Sequence, residues 1–446
     1  MFMKKILIKN GIIITVDPAD TVWQKGWVLV SDDRIEAMGE GDAPAAEEGW
    51  QVIDAKDKAV LPGIVDVHTH VCGSLFKGMT EDAHNGFYGF ALPMERLLTP
   101  ENTYTLSLLG AAECLMAGVT CINDIYHYMR DTARAVRQLG IRGVLAHKII
   151  ETDLAKIQFG DYTRIPDEAN ARVEENIRLI EEYHNTGDGR ITCKFGPHAT
   201  DTISVELAKR IAELGRQYGV GFHTHVAQKP QEVAFLKETY GLTPVEYLCE
   251  TGLMGHNLTA AHCVYITDND IRLLAEGGCT VAHCAEMSGK RGNLMPVKKM
   301  YDAGVKVSFG TDWVTMDPWT NMRMAIIVDR IGGCGLDDIN ARIALRRSTI
   351  EPAIHLGLGD KIGSLEVGKQ ADIIMMDLDA PRLRPVFDEP IPTLVYNANG
   401  ADVDTVMVAG EILVQNKTLL KADMGELLRD AQQVASELYD DYRAGR

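Results

Sequence analysis

The sequence predicts an α/β fold: a (β/α)8 barrel of TIM type, with a small β-sandwich domain built from the N- and C-terminal flanks. Three observations carry this. Eight short runs rich in β-branched or apolar residues recur between residues 59 and 313. Amphipathic segments separate them, with apolar residues at i, i+3, i+4 and i+7. Strand-like stretches with turn signals flank the set on both sides. Strands and helices alternating eight times form the pattern of a closed parallel barrel, whose chemistry sits at the C-terminal ends of the strands.

Taken in order, residues 1–61 form the N-terminal part of the sandwich, with ILIKNGIIITV and GWVLVSDDRIEAMG broken by turns at SDD and GEGD. The barrel spans 62–362. Its strand runs are AVLPGIVDVHTH, GVTCINDIY, IRGVLAHKII, RITCKFGPHA, VGFHTHVA, LTAAHCVY, CTVAHCAE and VKVSFGTDW. Helices such as PENTYTLSLLGAAECLMAG and SVELAKRIAELGRQYG lie between them, with start signals at Thr99-Pro100-Glu101 and at Thr202 and Ser204 with Glu206. Residues 363–420 complete the sandwich, because two β-rich flanks that are marginal alone pair most simply with each other. The segment 421–446 reads as a charged amphipathic helix.

Bulk composition narrows the function. A net charge of −18 argues against nucleic acid, whose phosphates would be repelled. Nine dispersed cysteines read as reduced, buried thiols and point to a cytoplasmic protein. The start, MFMKKILIKNGIIITV, reads as a strand and not a signal peptide, since Lys9, Asn10 and Gly11 break its apolar run. No run approaches the ~18 apolar residues of a membrane span. A small molecule is the expected partner.

Nearly every barrel strand ends in a polar or ionisable group: His68 and His70, Asp124, His147, His198, His223 and His225, His262, His283 and Asp312. A strand alternates faces with period two, so His68 and His70 point the same way, as do His223 and His225. Paired imidazoles with a carboxylate at Asp312 suit a catalytic divalent metal that keeps a position open for water. Spacing alone does not choose between His223 and His225. Metal-bound water becomes hydroxide near neutral pH, so Asp312 can serve as ligand and base, and His262 can polarise the attacked centre or move a proton.

These motifs in this order, VLPGIVDVHTH, FHTHVA, AAHCVY, FGTDW and the closing GSLEVGKQADIIMMDLD, resemble the amidohydrolase superfamily. More narrowly, the chain resembles the deaminase and chlorohydrolase branch of S-adenosylhomocysteine/methylthioadenosine deaminases, guanine deaminases and s-triazine hydrolases. GPHATDTIS is similar to the GPHAPYT stretch of the nucleoside deaminases. The resemblance covers essentially the whole chain. It implies metal ligands at His68, His70, His225 and Asp312, a water-activating or polarising His262, and a substrate contact at His198. It implies one divalent metal, Zn2+ or less often Fe2+, and a homo-oligomer. His223 is then a supporting residue one layer deeper.

One departure stands out. Three residues after the strand-five ligand these deaminases usually carry Glu, which moves the water proton to the ring; here it is Gln228. An amide donates hydrogen bonds but does not relay a proton at useful pKa. Glu232, Glu151 and Glu286 are the candidate stand-in acids. Lys194, considered as a metal-bridging lysine, lies four residues before His198, too deep by ~13 Å of strand rise. The long loop after strand one carries Phe76, Lys77, His84, Phe87, Tyr88 and Phe90, whose aromatics would stack on a flat heterocycle. Lys290 and Arg291 after strand seven could meet an anionic group. Trp313 replaces a small polar residue of the relatives.

The expected function is a metal-dependent hydrolytic deaminase of an aminated N-heterocycle, a purine or nucleoside, pterin, pyrimidine or s-triazine. Its catalytic residues are His262, Asp312 and Gln228, and its substrate contacts are His198, Phe87, Lys77 and Glu286. The alternatives are displacement of chloride or alkylamine from an s-triazine, and a metal-binding barrel without catalysis.

Overall fold

The computed structural model of the protein describes residues 4–154 and 156–445. Five strands come first: β1 Lys5–Ile14, β2 Val22–Ser31, β3 Arg34–Glu40, β4 Gln51–Asp54 and β5 Lys58–Pro62. Eight follow that build the barrel: β6 Ile64–Thr69, β7 Val119–Tyr126, β8 Arg142–Ile149, β9 Ile191–Pro197, β10 Phe222–Val226, β11 Leu258–His262, β12 Thr280–His283 and β13 Lys306–Phe309. The last four are β14 Ile373–Asp377, β15 Val403–Val408, β16 Glu411–Gln415 and β17 Thr418–Leu419.

The barrel strands pair in parallel in sequence order from β6 to β13. The ring is joined at its mouth, not along its length. Asp312, beyond the end of β13, donates its backbone N–H to the His68 carbonyl at 2.9 Å and accepts from the His70 N–H at 2.9 Å. One residue thus ties the last strand to the first, and it is itself part of the candidate site.

The flanks form one nine-stranded mixed sheet, ordered β17-β16-β15-β14-β5-β1-β2-β3 with β4 beside β1. N- and C-terminal segments meet where β14 runs antiparallel to β5. Period-two alternation sorts its side chains. Val60, Ile373 and Met375 enter a small core with Ile6, Ile8 and Val28 of the same sheet. Ala59, Leu61, Ile374 and Met376 face the large core shared with the barrel helices. A buried ion pair adds to that seam: Arg142 at the start of β8 donates to Asp372 at 3.0 and 3.2 Å. Removing one partner of such a pair costs about 3–5 kcal/mol, since the other charge is left buried and alone.

The run AVLPGIVDVHTH divides at Gly63, between a strand of the mixed sheet and the first barrel strand. A Cβ there would lie 2.1 Å from Thr120 Oγ1, so only glycine lets the chain pass so close to β7. Thr99 caps the helix Pro100–Met116 through a capping box with Asn102, and Ser204 caps Val205–Tyr218 by accepting from Leu207 N–H. Residues 421–446 include the helix Met424–Arg443. Among the described residues no helix is long and apolar enough to cross a membrane.

Candidate metal centre and active site

The strand ends bring four donor groups together. His68 Nε2 and His70 Nε2 lie 3.6 and 3.5 Å from the same Asp312 oxygen. His70 Nε2 and His225 Nε2 are 3.2 Å apart. Each imidazole is oriented by a bond on its other nitrogen: His70 Nδ1 faces the Ile125 carbonyl at 2.7 Å, and His225 Nδ1 the His198 carbonyl at 2.7 Å. A ring that donates from Nδ1 to a carbonyl is left with a bare lone pair at Nε2. His223, the neighbour that spacing could not separate from His225, bonds His68 Nδ1 through its Nε2 at 2.8 Å. It turns His68 toward the cluster and does not enter it.

Whether these groups fit a metal can be tested on the contacts. Burial and the neighbouring imidazoles push the pKa values of His70 and His225 well below the usual histidine range, so both rings are neutral. Two bare nitrogen lone pairs 3.2 Å apart repel each other unless a cation lies between them. Tetrahedral zinc with ligands at ~2.0–2.1 Å sets its nitrogens roughly 3.3 Å apart. His68 Nε2 is buried with no hydrogen-bond partner. The residues fit a divalent metal. Cys284 Sγ lies within 4.8 Å of donor atoms of His68 and Asp312. Burial holds that thiol protonated, which leaves the three imidazoles and the carboxylate as the better set.

His262 Nε2 lies 4.0 Å from the other Asp312 oxygen. His262 and Asp312 both take left-handed backbone, with φ of 78° and 68°. Non-glycine residues rarely do so, and such strain collects where side chains are aimed at a site. Ala227 at φ 48° aims Gln228 in the same way. Gln228, His198 and Phe87 line the cavity beside the cluster.

Other expectations need correction. Lys77 is not on the cavity: it pairs with Glu113 and lines a groove under the C-terminal helix. Glu286 is not on it either; its carboxylate meets Lys290 at 2.9 Å. Glu232 is buried beneath the loop it was expected to serve. It accepts from Thr200 Oγ1 at 2.6 Å and from the Ala227 and Gln228 N–H groups at 2.9 Å. Burial and nearby Asp201 raise its pKa to about 8. Glu151 accepts from Ser204 N–H at 2.6 Å, at the start of the next helix. Each of these acids holds the scaffold. Lys194 donates to Thr259 Oγ1 at 2.9 Å, below the cluster.

Two charged residues on the cavity escaped the sequence reading. Glu95 is buried between Lys148 Nζ at 2.7 Å and His127 Nε2 at 3.1 Å. Burial alone would raise its pKa, but Lys148 and His127 outweigh burial and hold it at about 2. A lysine in the apolar run IRGVLAHKII was the available signal, because lysine is almost never buried without a partner. Glu95 lies in a short helix after the long loop, and nothing in its local pattern marks it.

The inner cavity is about 20 Å³, room for little more than a water. It leads past Phe87 and Trp313, whose rings meet edge to face at 5.6 Å, into a vestibule of about 380 Å³. The inner cavity as it stands is too small for a heterocycle.

The amidohydrolase family profile matches residues 59–413. The chain is 34% identical to a 5'-deoxyadenosine deaminase of Methanosarcina barkeri over 443 residues, 98% of this chain and 99% of that one. It is 36% identical to a 5-methylthioadenosine/S-adenosylhomocysteine deaminase of Moorella thermoacetica, covering 95% and 97% of the two chains. A zinc-bound adenosine deaminase from Xanthomonas campestris superposes with a TM-score of 0.88 at 29% identity, over 98% of this chain and 99% of the other.

Proposed function

Given that the chain belongs to the amidohydrolase family and is a metal-dependent hydrolase of carbon–nitrogen bonds, we propose that it deaminates an adenosine derivative at the 6-amino group. The observation that carries this reading is the convergence of His68 and His70 Nε2 on one Asp312 oxygen, with His225 Nε2 3.2 Å from His70 Nε2, beside a cavity. Full-length similarity to deaminases of adenosine derivatives supports the choice of ring.

His68, His70, His225 and Asp312 would hold the metal, which we take to be zinc because the similar adenosine deaminase binds it. When bound, the metal supplies a water acidic enough to act as nucleophile at neutral pH. In the balanced reaction the water oxygen bonds to the amine-bearing carbon and the carbon–nitrogen bond breaks. One water proton goes to the ring nitrogen, the other to the departing ammonia. Asp312 takes the first proton and passes it on to the ring nitrogen, with His262 4.0 Å away to steady the charge that develops on the attacked centre. Gln228 donates an amide N–H to the ring and orients it. His198 closes the cavity wall, and Phe87 packs on the ring face.

The test is ammonia release by zinc-loaded protein from adenosine, 5'-deoxyadenosine, methylthioadenosine, guanine, cytosine and aminotriazines. Turnover confined to the adenosine series supports the proposal. Turnover of a different ring, or of none, contradicts it.

A further inference from the structure

The vestibule carries charge that the deamination chemistry does not use. Lys229 follows Gln228 directly, and Arg291 follows the helix Ala285–Lys290, so two separate loops bring them to the vestibule wall. Arg291 also lines the inner cavity beside His262 and Asp312. Among the described residues neither Lys229 nor Arg291 has a carboxylate or hydrogen-bond partner for its side chain. Lys229 rests over aromatic faces instead, 4.7 Å from the Tyr88 ring centre and 5.5 Å from that of Phe87.

The neighbouring charged groups have partners of their own. Lys290 meets Glu286 at 2.9 Å. Glu81, on the vestibule rim, accepts from the Thr80 N–H of its own turn at 3.1 Å. In a chain of 63 acidic and 45 basic residues, two unpaired cations sharing one concave wall are a departure that ordinary surface pairing does not explain. They also repel each other: burial and then Arg291 lower the Lys229 pKa to about 8. Gln228, between the cavity and the vestibule, is neutral and adds no carboxylate to that wall.

We propose that Arg291 and Lys229 form a subsite for an anionic group, a carboxylate or a phosphate, that the substrate carries beyond the ring being deaminated. Arg291 supplies the planar fork that binds such groups through two parallel hydrogen bonds, and Lys229 supplies a second positive charge on the same wall. The assignment rests on the deamination reading for the position of the ring, and on the unpaired cations for the anion.

The experiment compares kcat/KM for ammonia release from adenosine, adenosine 5'-monophosphate and adenosine 5'-carboxylate, in the wild type and in Arg291→Gln. The wild type is expected to favour at least one anionic substrate about tenfold or more, chiefly through KM, with the two anions distinguishing phosphate from carboxylate. In Arg291→Gln that ratio falls toward one, while Arg291→Lys retains part of it. Equal rates for neutral and anionic substrates in the wild type, or a ratio unchanged in Arg291→Gln, overturn the subsite. If no adenosine derivative is turned over, the deamination reading fails, and calorimetric titration with inorganic phosphate and with acetate still judges the subsite. Saturable binding that weakens about tenfold in Arg291→Gln supports it. Binding of neither anion, or binding indifferent to Arg291, removes it.

Discussion

Gln228 stands beside His262 and Asp312 at a position where a hydrolytic deaminase calls for a proton carrier. The three acids that could have replaced it, Glu232, Glu151 and Glu286, are tied to loop amides, a helix start and Lys290. On the proposed reading, proton movement falls to Asp312 and His262. Restoring the carboxylic acid in Gln228→Glu is expected to raise kcat on neutral adenosine about tenfold or more, the lower end of what a positioned acid contributes. Steady-state ammonia release checks this. An unchanged or abolished rate would mean that the amide orients the substrate in a way glutamate cannot. At this scale the sequence was readable where chemistry repeats with the strand period: His68 with His70 and His223 with His225 are visible as pairs. Which member of the second pair faces the cluster depends on a hydrogen bond across the barrel, from His223 to His68, 155 residues away. Glu95 and Lys148 were hidden for the same reason, since each acquires meaning only from the other.

The elements that aim these residues were legible as strands, but their ends were not. All eight apolar runs became barrel strands, because length and β-branched content mark them. The split of the first run at Gly63 depends on the approach of β7, and the closure at Asp312 on one backbone pairing, and neither leaves a local pattern. The loop after β6 is the largest departure. It folds into short helical turns, Val71–Phe76 and Gly86–Ala91, that bury Phe76 against Trp313 and turn Lys77 toward Glu113. Closure of the barrel also sets a prediction. A Cβ at Gly310 would lie 2.8 Å from both the Cβ and the carbonyl oxygen of His68. Gly310→Ala is thus expected to shift the strand that carries two of the imidazoles proposed to face the metal. Zinc affinity should fall about tenfold or more, in the range seen when groups supporting a ligand are altered. Metal-competition titration is the check, and an unaltered affinity would show that the closing strand does not position His68.

On the scale of the whole molecule, the β/α rhythm foretold the barrel, and the two β-rich flanks foretold a sheet that neither could form alone. That the flanks make one continuous sheet, with a private core on one face and the barrel helices on the other, follows from period-two burial in strands more than 300 residues apart. The chain so assembled carries a negative total charge, yet the barrel mouth holds neutral imidazoles and two unpaired cations. That contrast fits a small substrate bound at a metal and not a charged polymer bound across the surface. On the proposed function, His68, His70, His225 and Asp312 hold one metal on which deamination depends. The most direct measurement strips the protein of metal and follows ammonia release from adenosine as zinc is returned. No activity is expected at the start, then a linear rise that ends at one zinc per chain and is absent in His225→Ala. Activity that survives stripping, or a rise that is unaltered in His225→Ala, would contradict it.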